Sequence, residues 1–559
     1  MTNGEAPADT GDEVSRETWF AIGAMLMAVF AVANDFTAMN VVLPTIESDM
    51  NTDLATVQWV VNGYALMFGV LIVPGGRLAD LYGRKEMLAV GALIFASFSL
   101  LGGLAPNIFL LILARILMGI GAAMMWPAIL GLIYSILPES KAGLAGGLVI
   151  GVAGIGNATG PVIAGALAEE SWRYIFFLNV PIAIGAVAAT WILVPSDKER
   201  QESKLDLPGS ALLTISLLAL LSALTVAPNY GYTSALVLGA FAVGVVAMVL
   251  FVLRERAVGE DGLIPRSLIG NASLRWACFA ILSMSTIFFA ALFYLPQYFQ
   301  KILDEGTLAA GIMLLPFVAT FAMGSFAETW LVNRVGMKAV ITVGAVFMFA
   351  GAMLLALMVD QTSTYASLLP GMIALGLGVG FFYSTITTAA LTSVDPSRSS
   401  LAGGLLYMFQ IAGGSIGLAI TTTIFLATSS SEVDRASQEL GLSLSSSELL
   451  DAQGVLVGTE TSQQLTAGDP SQATQLIEIV ADAFVTGMRW AFSFGVLMSL
   501  IGMAITVAFV AGPISRFGRD IPDRNEDSDA ESASNGQSEQ MLDRPVDHSH
   551  PHRHRHAPS

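Results

Sequence analysis

The pentapeptide LAGGL, Leu144–Leu148, returns at Leu401–Leu405, 257 residues later. The same offset carries Gly119, Gly121, Gly156 and Gly160 onto Gly376, Gly378, Gly413 and Gly417. A third match, at an offset of 253, sets LADLYGRK (78–85) over LVNRVGMK (331–338). Glycine-rich packing alone can produce one such likeness, but three features in the same order read as a duplicated unit.

The composition says what the unit is made of. The 559 residues are 54% hydrophobic and only 13% charged, with a mean hydropathy of +0.67. That describes a chain crossing a bilayer many times, with 55 glycines for close helix packing. Residues 1–18 are polar and acidic, and no cleavable signal peptide is evident. Net charge is −18, yet 23 of the 44 acids fall in 1–18, 428–482 and 513–559, so the acidity belongs to solvated segments. No basic stripe with interleaved aromatics points to nucleic acid. The single Cys278 excludes a disulfide framework and a multi-cysteine metal site. All five histidines lie in the last twelve residues, which leaves buried proton chemistry to carboxylates.

Runs of about 20 apolar residues mark spans. Fourteen are expected: 19–43, 57–79, 87–105, 107–137, 142–167, 174–194, 207–227, 234–253, 275–298, 308–331, 339–359, 365–394, 399–427 and 484–511. Arg84 and Lys85, Lys141, Lys198 to Lys204, Arg254 to Arg266, Arg334 to Lys338, Arg398 and Arg516/Arg519 fall in alternate loops, which places both termini on the cytoplasmic side. The expected fold is an all-α polytopic membrane protein of two six-helix pseudo-symmetric bundles plus two additional central helices. Its parts are a cytoplasmic N-terminal tail (1–18), an N-terminal bundle (19–194), a linker with two extra spans (195–274), a C-terminal bundle (275–511) and a disordered cytoplasmic tail (512–559). The C-terminal bundle contains an extracellular loop, 428–482, of partial order. Parallel repeats of this kind build transporters whose halves rock about a site near the midplane.

GRLADLYGRK, Gly76 to Lys85, lies between the second and third spans. Gly76 and Gly83 allow close approach and a tight turn, while Asp80 and the Arg84/Lys85 pair can bridge helix ends. The stretch resembles the loop motif G-x-L-A-D-x-x-G-R-K of the major facilitator superfamily, whose fold the expected bundles match. RILMGIGAA (115–123) is similar to the family's fourth-span motif, with Met118 where a glutamine is usual. GNATGPVIAG, holding Gly156, Gly160, Pro161 and Gly165, resembles its antiporter motif, with Ala164 in place of one glycine. NDFTAMNVVLP (34–44) and WRYIFFLNVP (172–181) resemble the fourteen-helix drug:proton antiporters. The resemblance implies that 76–85 latches the cytoplasmic side. It also implies proton-coupled export of small amphipathic or cationic organic compounds (multidrug efflux) from the cell membrane. A dedicated exporter of an endogenous lipid or secondary metabolite is the alternative within transport. A non-transporting receptor or scaffold is the alternative of another class.

Asp35 is the charge that most needs explaining. An acid near a helix centre costs about 2.5–3.5 kcal/mol on insertion scales and usually meets a cavity or a partner. With the first span ending at Pro44 and the fourth beginning at Asn107, Asp35 and Arg115 lie roughly 12–14 Å below the outer surface at about 1.5 Å per residue. Opposite charges at one depth are expected to pair, with Asp35 binding the proton and Arg115 tuning it. Arg115 maps onto Met372, so the second half lacks the pair. Glu328 is a second candidate, expected to pair with Arg334 or Lys338. Asn40, Asn62, Tyr64, Tyr294, Tyr383, Tyr407 and Gln410, together with Glu328, are candidates to line a cavity. Neither a nucleophile–base pair nor a G-x-x-x-x-G-K-[ST] loop occurs in the spans, against an enzyme or an ATP-driven pump. The tail HSHPHRHRH (548–556) has metal-binding composition but no assigned role; no cofactor or metal and a monomeric state are expected.

Overall fold

The structure, a computed structural model, describes residues 14–52, 54–57, 59–138, 141–194, 206–439 and 470–510. The terminal tails, the Lys198–Lys204 cluster, the centre of the 428–482 segment and the side chain of Asn40 lie outside the described residues. Among those described there is no strand, and fourteen helices are long and apolar enough to cross a membrane.

The first half holds α1 (Arg16–Asp49), the single turn α2 (Leu54–Val57), α3 (Trp59–Tyr82), α4 (Arg84–Gly103), α5 (Ile108–Ile136), α6 (Ala142–Ala168) and α7 (Arg173–Leu193). Two further spans follow, α8 (Leu207–Tyr230) and α9 (Ala235–Val258). The second half holds the short α10 (Arg266–Gly270), α11 (Ala272–Lys301), the short α12 (Thr307–Met313), α13 (Leu315–Val335), α14 (Met337–Met358), α15 (Tyr365–Leu391), α16 (Ser399–Glu439) and α17 (Pro470–Phe509). Polar side chains start several of them: Asn107, Asp206, Ser234 and Asn271 each accept the backbone N–H three residues on. Gly83 and Gly336, at φ 109° and 84°, make the sharp α3–α4 and α13–α14 turns that a side chain would strain.

The repeat is visible in what touches what. In the first half α1 packs on α6 and α7, α3 on α5, and α4 on α5 and α7. In the second, α11 packs on α16 and α17, α13 on α15, and α14 on α15 and α17. The matched glycines sit at these crossings. A Cβ on Gly119 would lie 2.5 Å from the Tyr64 carbonyl of α3, and one on Gly376 would lie 2.1 Å from the Phe317 carbonyl of α13. Gly156 meets α1 and Gly413 meets α11 in the same way. Small residues thus let paired backbones approach where lipid supplies no hydrophobic drive. The result is two six-helix bundles with the same internal packing. They join along two seams, α3 with α16 and α6 with α13.

Three helices outrun the apolar pattern. α1 passes Pro44 and reaches Asp49, whose carboxylate accepts from Arg173 Nη1 (2.8 Å) and Trp172 Nε1 (3.1 Å) at the start of α7. Those donors, Arg173 first, hold the Asp49 carboxyl below its usual range. α16 continues through 428–439 and α17 begins at Pro470, so both flanks of the expected extracellular loop are helical. The serines and threonines there do not break the helix, because their hydroxyls bond carbonyls within it. Thr428, Ser431 and Ser437 each donate to the residue four back, at 2.7–2.8 Å. Ser429 instead crosses to the Ala483 carbonyl of α17 (2.8 Å).

Candidate functional site

α1, α3, α5 and α7 bring their polar groups to one point. Asp35 and Arg115 are both fully buried, and Arg115 Nη1 donates to Asp35 Oδ2. Arg115 Nε donates to the Val60 carbonyl of α3 (2.8 Å), and the guanidinium lies over the Tyr64 ring, 4.3 Å from its centre. Its Nη2 has no hydrogen-bond partner, which leaves one buried donor spare. The other oxygen of Asp35 accepts from Asn179 Nδ2 of α7 (2.8 Å). Behind Asn179, Ser99 of α4 lies at 3.5 Å and donates to the Phe176 carbonyl (2.8 Å). The acid therefore has one cationic and one neutral donor, as a buried carboxylate requires.

The glycine motif of α6 seats α1 beside this cluster. A Cβ on Gly156 would lie 2.9 Å from the Phe30 carbonyl, and one on Gly160 would lie 2.8 Å from that of Asn34. Pro161 has no N–H for the carbonyl of Asn157 four residues back, and Thr37 Oγ1 of α1 donates to that carbonyl instead (2.9 Å). A Cβ on Gly311 of α12 would lie 3.5 Å from Pro161, and one on Gly165 would lie 3.8 Å from Leu308.

Below the cluster, aromatic rings run from α1 to the second half. Phe36 meets Tyr64 (6.3 Å), Tyr64 meets Phe68 (6.0 Å), and Tyr407 of α16 lies 5.4 Å from Phe68 and 4.4 Å from Trp126. Of the candidate lining residues, Tyr64 belongs to the acid's surroundings and Tyr407 to this ladder, while Asn62 and Gln410 are half-buried. Tyr294 and Tyr383 are buried within the second half, against Thr422 (3.3 Å) and Ser285 (2.8 Å). Glu328 does not pair with Arg334 or Lys338. It is fully buried, and its carboxylate accepts from Ser384 and Thr329, while Arg334 lies over the Trp330 ring. A helix end at a membrane surface suggested an interfacial pair; the α13–α15 contact instead encloses the acid.

The 76–85 loop divides its charges between distinct tasks. Asp80 accepts from the backbone N–H of Leu401 (2.9 Å) and Ser400 (3.3 Å), so it caps α16 from across the α3–α16 seam. Arg84 donates to Asp80 (3.3 Å), to the Gly131 carbonyl (3.2 Å) and, across the seam, to the Pro396 carbonyl (2.5 Å). Lys85 turns the other way and satisfies the Val194 (2.6 Å) and Trp191 (2.9 Å) carbonyls at the end of α7. Gly76 has no room for a Cβ beside Ser400. In the second half Asn333 stands at the Asp80 position and is exposed, so only one seam carries this cap. A recess of about 580 Å³ near the loop is lined by Arg77, Glu260, Asp261 and Arg398, among others. It is tied by an Arg398–Glu260 pair (3.1 Å) and includes neither Asp35 nor Arg115.

Asn179 and Ser99 were not singled out in the sequence. The only signal was a lone amide in the apolar run ahead of Pro181, and a neutral amide announces itself far less than a charge.

The chain matches the family model "Major Facilitator Superfamily" over residues 25–418. It is 34% identical over 427 residues to the puromycin resistance protein of Streptomyces alboniger, covering 75% of this chain and 84% of that one. It is 28% identical over 494 residues to the tetracenomycin C resistance and export protein of Streptomyces glaucescens, covering 88% and 91%. The crystal structure of the human organic anion transporter MFSD10 (TETRAN) shares the fold, with a TM-score of 0.58 at 11% identity over 88% of this chain and 100% of that one. The duplicated bundles, the seam-spanning loop and these likenesses agree: the chain belongs to the Major Facilitator Superfamily, a family of membrane transporters rather than enzymes.

Proposed function

We propose that the protein exports amphipathic or cationic organic compounds in exchange for protons, by rocking its two bundles alternately open to either side of the cell membrane. Both termini then face the cytoplasm, and the 76–85 loop end is the cytoplasmic end. The observation that carries this reading is the buried Asp35–Arg115–Asn179 cluster on three helices of one bundle. Asp35 takes up the proton. On protonation it ceases to be a full counter-charge for Arg115, whose spare Nη2 provides a second direction for the guanidinium to bond. Proton and substrate thus compete for one state of the cluster.

Proteoliposomes with an imposed pH gradient test it, with wild type and Asp35→Asn compared for drug efflux and internal pH. Asp35→Asn is expected to fold, insert and lose proton-driven export; export retained in full by that variant overturns the reading. A second reading, dedicated export of an endogenous secondary metabolite, is favoured by the likeness to a puromycin resistance protein and to a tetracenomycin C resistance and export protein. Efflux of one compound but not of a panel of unrelated cationic dyes selects it. No flux of any compound under a pH gradient supports the receptor or scaffold reading instead.

A further inference from the structure

α13 buries a carboxyl that the site above does not use. Glu328 is the acid of that helix and is wholly inaccessible. Its Oε2 accepts long hydrogen bonds from Ser384 Oγ of α15 (3.4 Å) and Thr329 Oγ1 (3.3 Å), and its Oε1 has no hydrogen-bond partner.

The repeat locates it beside a seam. A Cβ on Gly147 of α6 would lie 2.5 Å from the Ser325 carbonyl of α13, and one on Gly404 of α16 would lie 2.8 Å from the Ile72 carbonyl of α3. These are the same crossing in the two seams. One turn further toward the loop end, α3 has Gly75 and Gly76, whereas α13 has Glu328 and Thr329. Gly76 meets the Ser400 carbonyl across the α3–α16 seam, whereas Gly75, the counterpart of Glu328, meets the Ala123 carbonyl of α5 in its own bundle. Glu328 likewise faces α15, and its donor Ser384 reaches the seam, its Oγ 3.7 Å from where a Cβ on Gly147 of α6 would lie.

The groups that face it are neutral. α15 supplies Ser384 and Thr385, and α6 contains no titratable residue over its whole length. α5 supplies Tyr134, whose hydroxyl bonds Thr388 Oγ1 across the seam (3.0 Å). Among the described residues no Lys or Arg is ion-paired with Glu328, and Arg334 is engaged with Trp330. A carboxylate withdrawn from water without a cation is strongly disfavoured, whereas the neutral acid fits and gains an O–H donor.

We propose that Glu328 is a second proton-binding site, loaded as the α6–α13 seam closes at the loop end and emptied as it opens. The proton comes onto a carboxylate oxygen from water at that end and returns to the same water. The site therefore carries no net proton across the membrane; it makes closure of the seam depend on the pH at the loop end. The inference rests on the rocking of the two bundles and is independent of the role given to Asp35.

The test reads seam opening in nanodiscs. Leu130 of α5 is buried against Gly403 of α16. Leu130→Cys is introduced in a Cys278→Ser, Asp35→Asn background, and maleimide labelling is normalised to that of the unfolded protein at each pH. Labelling is expected to rise with pH, by at most about tenfold per unit for one proton. With Glu328→Gln added, or Glu328→Met should the first fail to fold, labelling is expected to stay at its acid-limit value throughout. Labelling independent of pH with Glu328 in place, or a pH dependence that survives its neutral replacement, overturns the proposal. Because Asp35 is already neutral here, failure of the export reading shows in the proteoliposome assay and not in this one.

Discussion

Asp35 is held by two donors of different kinds, and they separate under mutation. Arg115 neutralises its charge, while Asn179 fixes its orientation through one hydrogen bond. A hydrogen bond to a charged group is worth about 1.5–3 kcal/mol, so Asn179→Ala, which removes this donor from Asp35, is expected to lower the rate of export roughly tenfold or more. Export by the inserted variant in proteoliposomes checks it; an unchanged rate shows that Arg115 alone positions Asp35. The charged pair was legible in the sequence because an ion in an apolar run needs a partner at its own depth. The amide was not, since a neutral side chain can satisfy itself within its own helix and leaves no imbalance to notice. Glu328 shows the converse limit: sequence distance suggested an interfacial cation, and only the packing of α15 on α13 shows that hydroxyls surround it.

At the scale of elements, the α3–α4 turn and the start of α16 form one device. The Asp80 carboxylate accepts the N–H groups of the first turn of α16, so this cap exists only while the α3–α16 seam is closed. Asp80→Asn is expected to weaken the closed arrangement by about 1–2 kcal/mol, roughly five- to thirty-fold in population. Labelling of a cysteine introduced at position 130 should rise by that factor, and an unchanged rate shows that the seam is held without the cap. The span count was readable from hydropathy, because lipid demands about 20 apolar residues for each crossing. The extension of α16 was not, because hydroxyls that bond back to their own helix let a polar segment stay helical. The breadth of α1 was hidden for a related reason: a proline inside a long helix looks like its end.

At the scale of the whole molecule, the two bundles are alike in packing and unlike in charge. The ion pair and the helix cap lie in or issue from the first half, whose partner positions carry Met372 and Asn333. Both seams nevertheless depend on small residues. Gly404→Leu would press a side chain into the Ile72 carbonyl, 2.8 Å from the new Cβ. That variant is expected to fold, fail to close the α3–α16 seam and lose transport, with labelling at position 130 high at every pH; normal transport shows that the seam opens less than the fold implies. The duplication was legible because backbone contact tolerates only glycine, so the packing wrote itself into the sequence twice. The same cannot be said of α8 and α9, which no repeat anticipates. α8 lies against both α3 and α16, and α9 packs mainly on α8, with much of its apolar surface bare. A molecule dissolved in the bilayer and drifting toward that seam therefore meets a shutter. At the α6–α13 seam, among the described residues, it meets none, so the two lateral doors of this protein are not equivalent to the lipid.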